Sequence, residues 1–500
     1  MKLIMRILKK IIVLILIIII LMQIVPMYNS TAVESTQEQI NVLFIGNSKT
    51  YYNIFPRIFR NLVKNSTDVN VSMKIKVIVA GGRTLKQHAK KLNAIHDSNG
   101  DANTYSKVSS KFIREEEYEA YRSIFYKKNT TTTNMKWDYV VLQGQREESL
   151  DESQLSSSST KIIKDLKKYN NSNIKVIYNA IWPPYPGSID DLKTTQDKID
   201  EAYTNSKKEL VNSKVINNNR ISISYSGRAI YRYLSGYNQN YRTMYTSDDN
   251  HPTQIGSYLS ACCLYVAMFN KSPYGINYAG EVEDLASNPI INLNYSSDST
   301  VNGMNSPNRK TLNSINDTDL LRTMQGLAYG SMKNDVNPPT VGLTKDKTSW
   351  TNSNVKLTVS ATDTGVAGLA VSAYSWDNGK TWTKSNTFDV TTNGTYTVKV
   401  RDMVGNTSSK SIAVTNIDKI TPTITSIIGN PTEWTKDNVT LTVSASDTGG
   451  SGLDSSAYSW NDGKTWINSN TAYVTTNGTY TVKVRDTAGN ISSKSITVTN

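Results

Sequence analysis

From residue 38 to about residue 335, short apolar runs alternate with stretches in which apolar side chains recur every three or four positions. The runs 40–45, 74–80, 138–142, 174–180 and 221–226 are predicted as strands. The first of them, Ile-Asn-Val-Leu-Phe-Ile, is apolar enough for a strand covered on both faces. Over 51–63 the residues Ile54, Ile58, Phe59, Leu62 and Val63 share one helical face, and 253–269 and 319–329 have the same period. Strands separated by helical segments imply an α/β fold with a doubly wound parallel sheet. The Glu- and Tyr-rich stretch 105–126 is expected to make a helical excursion before the third strand, and 287–316, rich in Asn and Ser, a long loop.

Beyond residue 340 the period changes to two, as in Val355-Lys-Leu-Thr-Val359 and Tyr396-Thr-Val-Lys-Val400. The pattern also repeats after about 84 residues: Tyr374-Ser-Trp-Asp-Asn-Gly-Lys-Thr-Trp382 returns as Tyr458-Ser-Trp-Asn-Asp-Gly-Lys-Thr-Trp466, and 392–402 returns as 476–486. Asn-Gly and Asp-Gly turns between alternating runs predict two small antiparallel sandwiches. They resemble the bacterial Ig-like modules carried by secreted surface enzymes. Neither repeat holds a histidine or cysteine, so chemistry is expected upstream. The polar, proline-ended segment 333–339 is expected to act as a semi-rigid spacer. The expected division is 1–32 signal peptide or N-terminal anchor, 35–335 catalytic domain, 336–419 first module and 420–500 second module.

Two short segments carry the candidate chemistry. Gly46-Asn47-Ser48 ends the first strand, which places Ser48 beyond its carboxyl end, where open α/β sheets bind ligands. The chain has three histidines, His88, His96 and His251, and Asp248 stands three residues before His251. Such a turn can fold the carboxylate onto Nδ1 and leave Nε2 for the serine proton, the equipment of nucleophilic acyl transfer. Lys49-Thr50 lacks the glycines of a phosphate loop, since Ser48 and Leu43 occupy their places. Gly81-Gly82 has no dinucleotide spacing. Cys262-Cys263 has no metal-site spacing and is expected in a helix core, so no cofactor and no metal is expected.

Four blocks, in order and spacing, resemble the SGNH hydrolases, or GDSL-type esterases, over roughly residues 38 to 335. They are Phe44-Ile-Gly-Asn-Ser48, with Asn47 where many members carry aspartate; Val77-Ile-Val-Ala-Gly-Gly82; Trp137-Asp-Tyr-Val-Val-Leu-Gln-Gly-Gln145; and Asp248-x-x-His251. The likeness is to a poorly characterised bacterial Gly-Asn-Ser branch with a glutamine-rich third block and a histidine after the second, as His88 is here. It implies a flavodoxin-like sheet, Ser48 as nucleophile, His251 as base and Asp248 as its orienting carboxylate. It also implies an oxyanion hole from the N–H groups of Ser48 and Gly82 and a side-chain amide. The family's asparagine is absent, and Gln143 or Gln145 could supply the donor, with Gln145 preferred because it lies further past the strand. His88 is expected as a substrate contact. The implied substrate is an acylated, most simply acetylated, carbohydrate. The alternative is a non-catalytic surface or wall-binding protein with a degenerate hydrolase domain, against which the intact Ser48, Asp248 and His251 speak.

The N-terminus changes the compartment. Lys2, Arg6, Lys9 and Lys10 precede an apolar run over 11–22 and the small residues Ser30-Thr31-Ala32, the form of an export signal, with a retained anchor as the alternative and the only membrane contact expected. Export without a disulfide framework, with abundant Lys, Asn, Ile and Tyr, suggests a Gram-positive bacterium and a secreted or surface-associated protein. The formal charge is +13, yet 14 basic and 12 acidic side chains lie from Thr340 onward, so the excess belongs to the first two thirds. Anionic wall polymers are the expected electrostatic partner. Nucleic acid is not, for want of any binding motif.

Overall fold

The computed structural model describes residues 37–51, 55–97, 115–126, 136–169, 171–278, 291–292 and 318–499. The expected export signal, the first part of the 105–126 excursion and most of the 287–316 loop lie outside the described residues. No helix among the described residues is long and apolar enough to cross a membrane.

The first unit is built on β1 (Glu38–Gly46), β2 (Val71–Val79), β3 (Tyr139–Leu142), β4 (Lys175–Asn179), β5 (Ile221–Ser224) and the two-residue β6 (Ile291–Asn292). They form one sheet in the order β5-β4-β3-β1-β2-β6, and every neighbouring pair is parallel. The chain steps from β1 to β2 on one side and then crosses to β3 on the other. That reversal opens a crevice at the carboxyl ends of β1 and β3, the switch point where doubly wound sheets hold ligands.

Helices cover both faces. After the single turn α1 (Ser48–Tyr51) come α2 (Phe55–Lys64), α3 (Leu85–Asp97), α4 (Glu115–Arg122), α5 (Glu152–Tyr169), α6 (Ile189–Asn212), α7 (Ser226–Gly236), α8 (Gln254–Phe269) and α9 (Thr318–Met332). Alternate residues of β1 face opposite layers. Val42 and Phe44 pack with α2, α7, α8 and α9, while Leu43 and Ile45 pack with α3, α5 and α6. Helix α8 is apolar nearly all round and is buried accordingly, with Cys262 and Cys263 as free thiols in its core.

The repeats fold as two all-β modules of two three-stranded antiparallel sheets each. In the first, β7 (Thr340–Lys345), β8 (Val355–Thr362) and β10 (Thr387–Val390) face β9 (Leu369–Ser375), β11 (Gly394–Asp402) and β12 (Thr407–Val414). The second repeats this with β13 (Thr423–Ile428), β14 (Val439–Ser446) and β16 (Thr471–Val474) against β15 (Leu453–Ser459), β17 (Gly478–Asp486) and β18 (Ile491–Val498). The Asn378-Gly379 and Asp462-Gly463 turns adopt the left-handed backbone their composition predicts, with φ +63° and +90° in the first and +61° and +86° in the second.

The segment 333–339 does not act as a spacer. Asp335 is buried, and its Oδ2 accepts the N–H groups of Val366 and Ala367 at 2.7 and 2.8 Å. Met403 and Val404 join the core beside α9, the Arg401 guanidinium lies 4.0 Å from the Tyr237 ring centroid, and Tyr237 Oη donates to Met403 O at 3.1 Å. Sequence alone hid this because Met403 and Val404 lie in a polar turn, where apolar residues form no period. Met403→Ala will lower the unfolding free energy of the full chain by about 2 kcal/mol or more, read from denaturant unfolding, since it opens a cavity against α9. An unchanged midpoint would mean that the module is not docked.

Candidate active site

The turn that bears Ser48, the candidate nucleophile, is held by strand ends. Asn47, 4% exposed, donates from Nδ2 to Gly144 O at 3.0 Å, and its Oδ1 accepts Lys49 N–H at 3.2 Å and Gln143 Nε2 at 2.8 Å. These bonds lock the ends of β1 and β3 together and leave Ser48 half-buried at the switch point. Gly46 is required by space, because a Cβ there would sit 2.1 Å from Thr50 Oγ1. Gly82, past the carboxyl end of β2, has φ +66° with open space where a side chain would begin, a left-handed turn that leaves its backbone uncovered.

The two candidate glutamines separate in the structure. Gln143 is 1% exposed and turned inward, giving its amide to Asn47 and accepting Asn179 Nδ2 at 3.3 Å. Gln143 is therefore a member of the strand-end network, with one N–H of its amide engaged by Asn47 and its oxygen by Asn179. Gln145 is half-buried beyond the end of β3, with Oε1 accepting the Glu147 N–H at 3.0 Å. Its loop is anchored by Glu148, a fully buried carboxylate that accepts Leu85 N–H at 2.6 Å, Lys86 N–H at 3.0 Å and Gln145 N–H at 3.4 Å. One carboxylate thus caps α3 and ties the Gly82 turn to the Gln145 loop.

His88 is not a substrate contact. It is fully buried in α3, with Nε2 2.8 Å from Gly46 O and Nδ1 2.5 Å from Tyr121 Oη. Nε2–H donates to the carbonyl and Nδ1 accepts the phenol, so the neutral ring braces the end of β1 two residues before Ser48. Burial and the nearby Arg83 push its pKa down to about 3 from an ordinary 6.5. The folded-state pKa is depressed, so the stability this ring contributes is full above pH 6.5 and is lost as pH falls toward 3. Unfolding free energy will fall by up to about 1.4 kcal/mol per pH unit across that window. His88→Gln will flatten the slope in denaturant titrations, and an unaltered slope would place the acid sensitivity elsewhere.

Asp248 and His251, the candidate carboxylate and base, lie on the loop between α7 and α8. Asp248 Oδ1 accepts Thr246 Oγ1 at 2.7 Å, Asn250 N–H at 3.0 Å and His251 N–H at 2.9 Å, which leaves Oδ2 to take His251 Nδ1–H at 2.5 Å. Partial desolvation raises the Asp248 pKa, but these bonds, led by that of the imidazole, outweigh it and hold the carboxyl well below the usual carboxylate range. Asp249 adopts φ +56°, pinned by an ion pair to Arg242 at 2.6 Å, and Tyr185 N–H donates to Asp249 O at 2.8 Å. This loop reaches the nucleophile turn through the segment after β4: Trp182 Nε1–H donates to Asn250 O at 3.2 Å, and Trp182 O accepts Lys49 Nζ at 2.9 Å.

Sequence reasoning passed over Glu148 and Trp182, and weighed Lys49 only as part of a phosphate loop. The available signals were a charged residue directly after the nucleophile and Trp-Pro-Pro-Tyr directly beyond a strand. Among the described residues, the sets of acidic groups close enough to share a cation are Asp335, Asp363 and Asp402, and Asp418, Asp447 and Asp486, at the two module junctions. Their oxygens accept backbone N–H groups of the adjoining loops, as at Asp363 and Asp447.

No family model matches the chain. Exoglucanase B of Cellulomonas fimi is 34% identical over 188 residues, which is 34% of this chain and 17% of that protein, so the chain spans about a sixth of its curated relative. Among solved structures, a DUF4886 family protein from Bacteroides uniformis is 16% identical, covering 59% of this chain and 95% of its own, with a TM-score of 0.34. A protein from Slackia heliotrinireducens assigned to the SGNH hydrolases is 16% identical over 46% of this chain and all of its own, with a TM-score of 0.30. An acetylxylan esterase from Geobacillus stearothermophilus is 10% identical over 48% of this chain and 97% of its own, with a TM-score of 0.29. The solved structures to which this chain is similar include SGNH hydrolases and carbohydrate esterases.

Proposed function

We propose that the chain is an exported SGNH-type serine esterase that removes acyl groups, most simply acetyl, from a carbohydrate. The observation that carries the reading is the Asp248–His251 pair: a carboxylate fixed by three other hydrogen bonds, 2.5 Å from imidazole Nδ1, on a loop strapped to the turn that bears Ser48. Ser48 Oγ attacks the acyl carbonyl as His251 Nε2 takes its proton. The imidazolium, stabilised by Asp248, then returns the proton to the departing sugar oxygen. Water, activated by the same imidazole, releases the acyl group and regenerates Ser48.

The developing oxyanion is held by the N–H groups of Ser48 and Gly82 and the side-chain amide of Gln145. Gln145→Ala will lower kcat on an activated acetyl ester about a hundredfold with folding intact, the usual cost of one oxyanion donor. A loss under threefold would put the side-chain donor elsewhere. The substrate class is tested on the full chain with acetylated xylan, mannan and wall glycan, measuring acetate release. Hydrolysis of the activated ester with no release from any glycan would leave an esterase and remove the carbohydrate assignment. The basic surplus of the first unit and the modules suit an enzyme working at an anionic wall surface, where activity on insoluble substrate will fall with salt.

A further inference from the structure

Lys49 directly follows Ser48, is 7% exposed, and has no part in the steps above. Its ammonium donates to Trp182 O at 2.9 Å and lies 5.6 Å from the centroid of the same residue's ring. Trp182, itself 3% exposed, donates its indole N–H to Asn250 O, one residue before the base. Two more bonds join the same segment to the Asp–His loop: Tyr185 N–H to Asp249 O at 2.8 Å and Tyr245 Oη to Pro183 O at 3.1 Å. Residues 182–185 are thus a strut between the nucleophile turn and the base, and Lys49 grips one end of it.

A buried ammonium is an expensive way to fill this space. An apolar chain of equal length would fill it at lower desolvation cost. Burial and the positive charge of Arg146 draw the Lys49 pKa down to about 7 against the opposing pull of Asp248. An amine kept in so unfavourable a place, bonded to the segment that braces the His251 loop, is placed for function rather than for stability.

We infer that Lys49 is a positioning residue that sets the separation of Ser48 Oγ and His251 Nε2 by drawing the 182–185 strut against the nucleophile turn. Serine and base act only within hydrogen-bond reach. A displacement of about 1 Å can cost on the order of a hundredfold in rate. The inference rests on the serine-esterase reading.

The test is Lys49→Met in the full chain, which keeps the length and removes the charge and the donor. The account expects kcat on an activated acetyl ester to fall at least about tenfold with KM within about twofold, and thermal stability to stay level or rise. A residue with a merely structural role would lose stability and activity together. Trp182→Phe removes the N–H to Asn250 and keeps the aromatic bulk; it should lower kcat in the same way, and it serves if Lys49→Met does not fold. The double variant should be no slower than the slower single one, because both break one strut. Unchanged kcat in Lys49→Met, a fall in kcat tracking a fall in stability, or multiplying losses in the double variant would overturn the inference while leaving the esterase reading intact. A wild-type protein inert toward the ester would remove both.

Discussion

Asp248→Asn will slow turnover of an activated acetyl ester by on the order of ten-thousandfold, with the protein still folded. Asparagine can keep the Oδ1 acceptor that takes Thr246 Oγ1 and the N–H groups of Asn250 and His251, so the turn survives. What changes is the other atom. An amide NH2 in place of Oδ2 cannot accept the His251 Nδ1–H, so the imidazole moves its proton to Nε2 and can no longer receive one from Ser48. Kinetics at neutral pH, with circular dichroism to confirm folding, would check this. A loss of less than tenfold would show that Asp248 shapes the loop without orienting the base.

Much of the frame is legible in the chain, for physical reasons. The strand expected at 40–45 appears as Glu38–Gly46, and that at 221–226 as Ile221–Ser224. Helix 253–269 appears as Gln254–Phe269 with Thr253 as its N-cap. These elements are buried on most sides, so their patterns are strong. The Asp248–His251 pairing is legible because a contact between side chains three residues apart depends on local spacing. The distinction between Gln143 and Gln145 is not, since alternation through Gly144 puts both on one side. It takes the tertiary partners Asn47 and Asn179 to turn Gln143 inward.

His88 shows the limit from the other direction. A histidine shortly after a glycine turn looks like a site residue, yet its two ring nitrogens meet Gly46 and Tyr121, 42 and 33 residues away. Partners that distant leave no local signature. Glu148 is hidden in the same way: a carboxylate in a polar stretch reads as solvated, and only the N-terminus of α3 folding onto it makes burial affordable. The docked first module follows the same logic, with Asp335 at the end of the first unit holding the module's 366–367 backbone and Met403 of the module entering the core beside α9.

The most direct test of the central claim is Ser48→Ala in the full chain, assayed on an activated acetyl ester beside the wild type. Ser48 supplies the bond that makes the acyl-enzyme, and without it the remaining oxyanion and binding groups give only residual catalysis. The account predicts that the wild type turns over the ester and that the alanine variant is slower by about a thousandfold or more. An alanine variant that works at near the wild-type rate would contradict it.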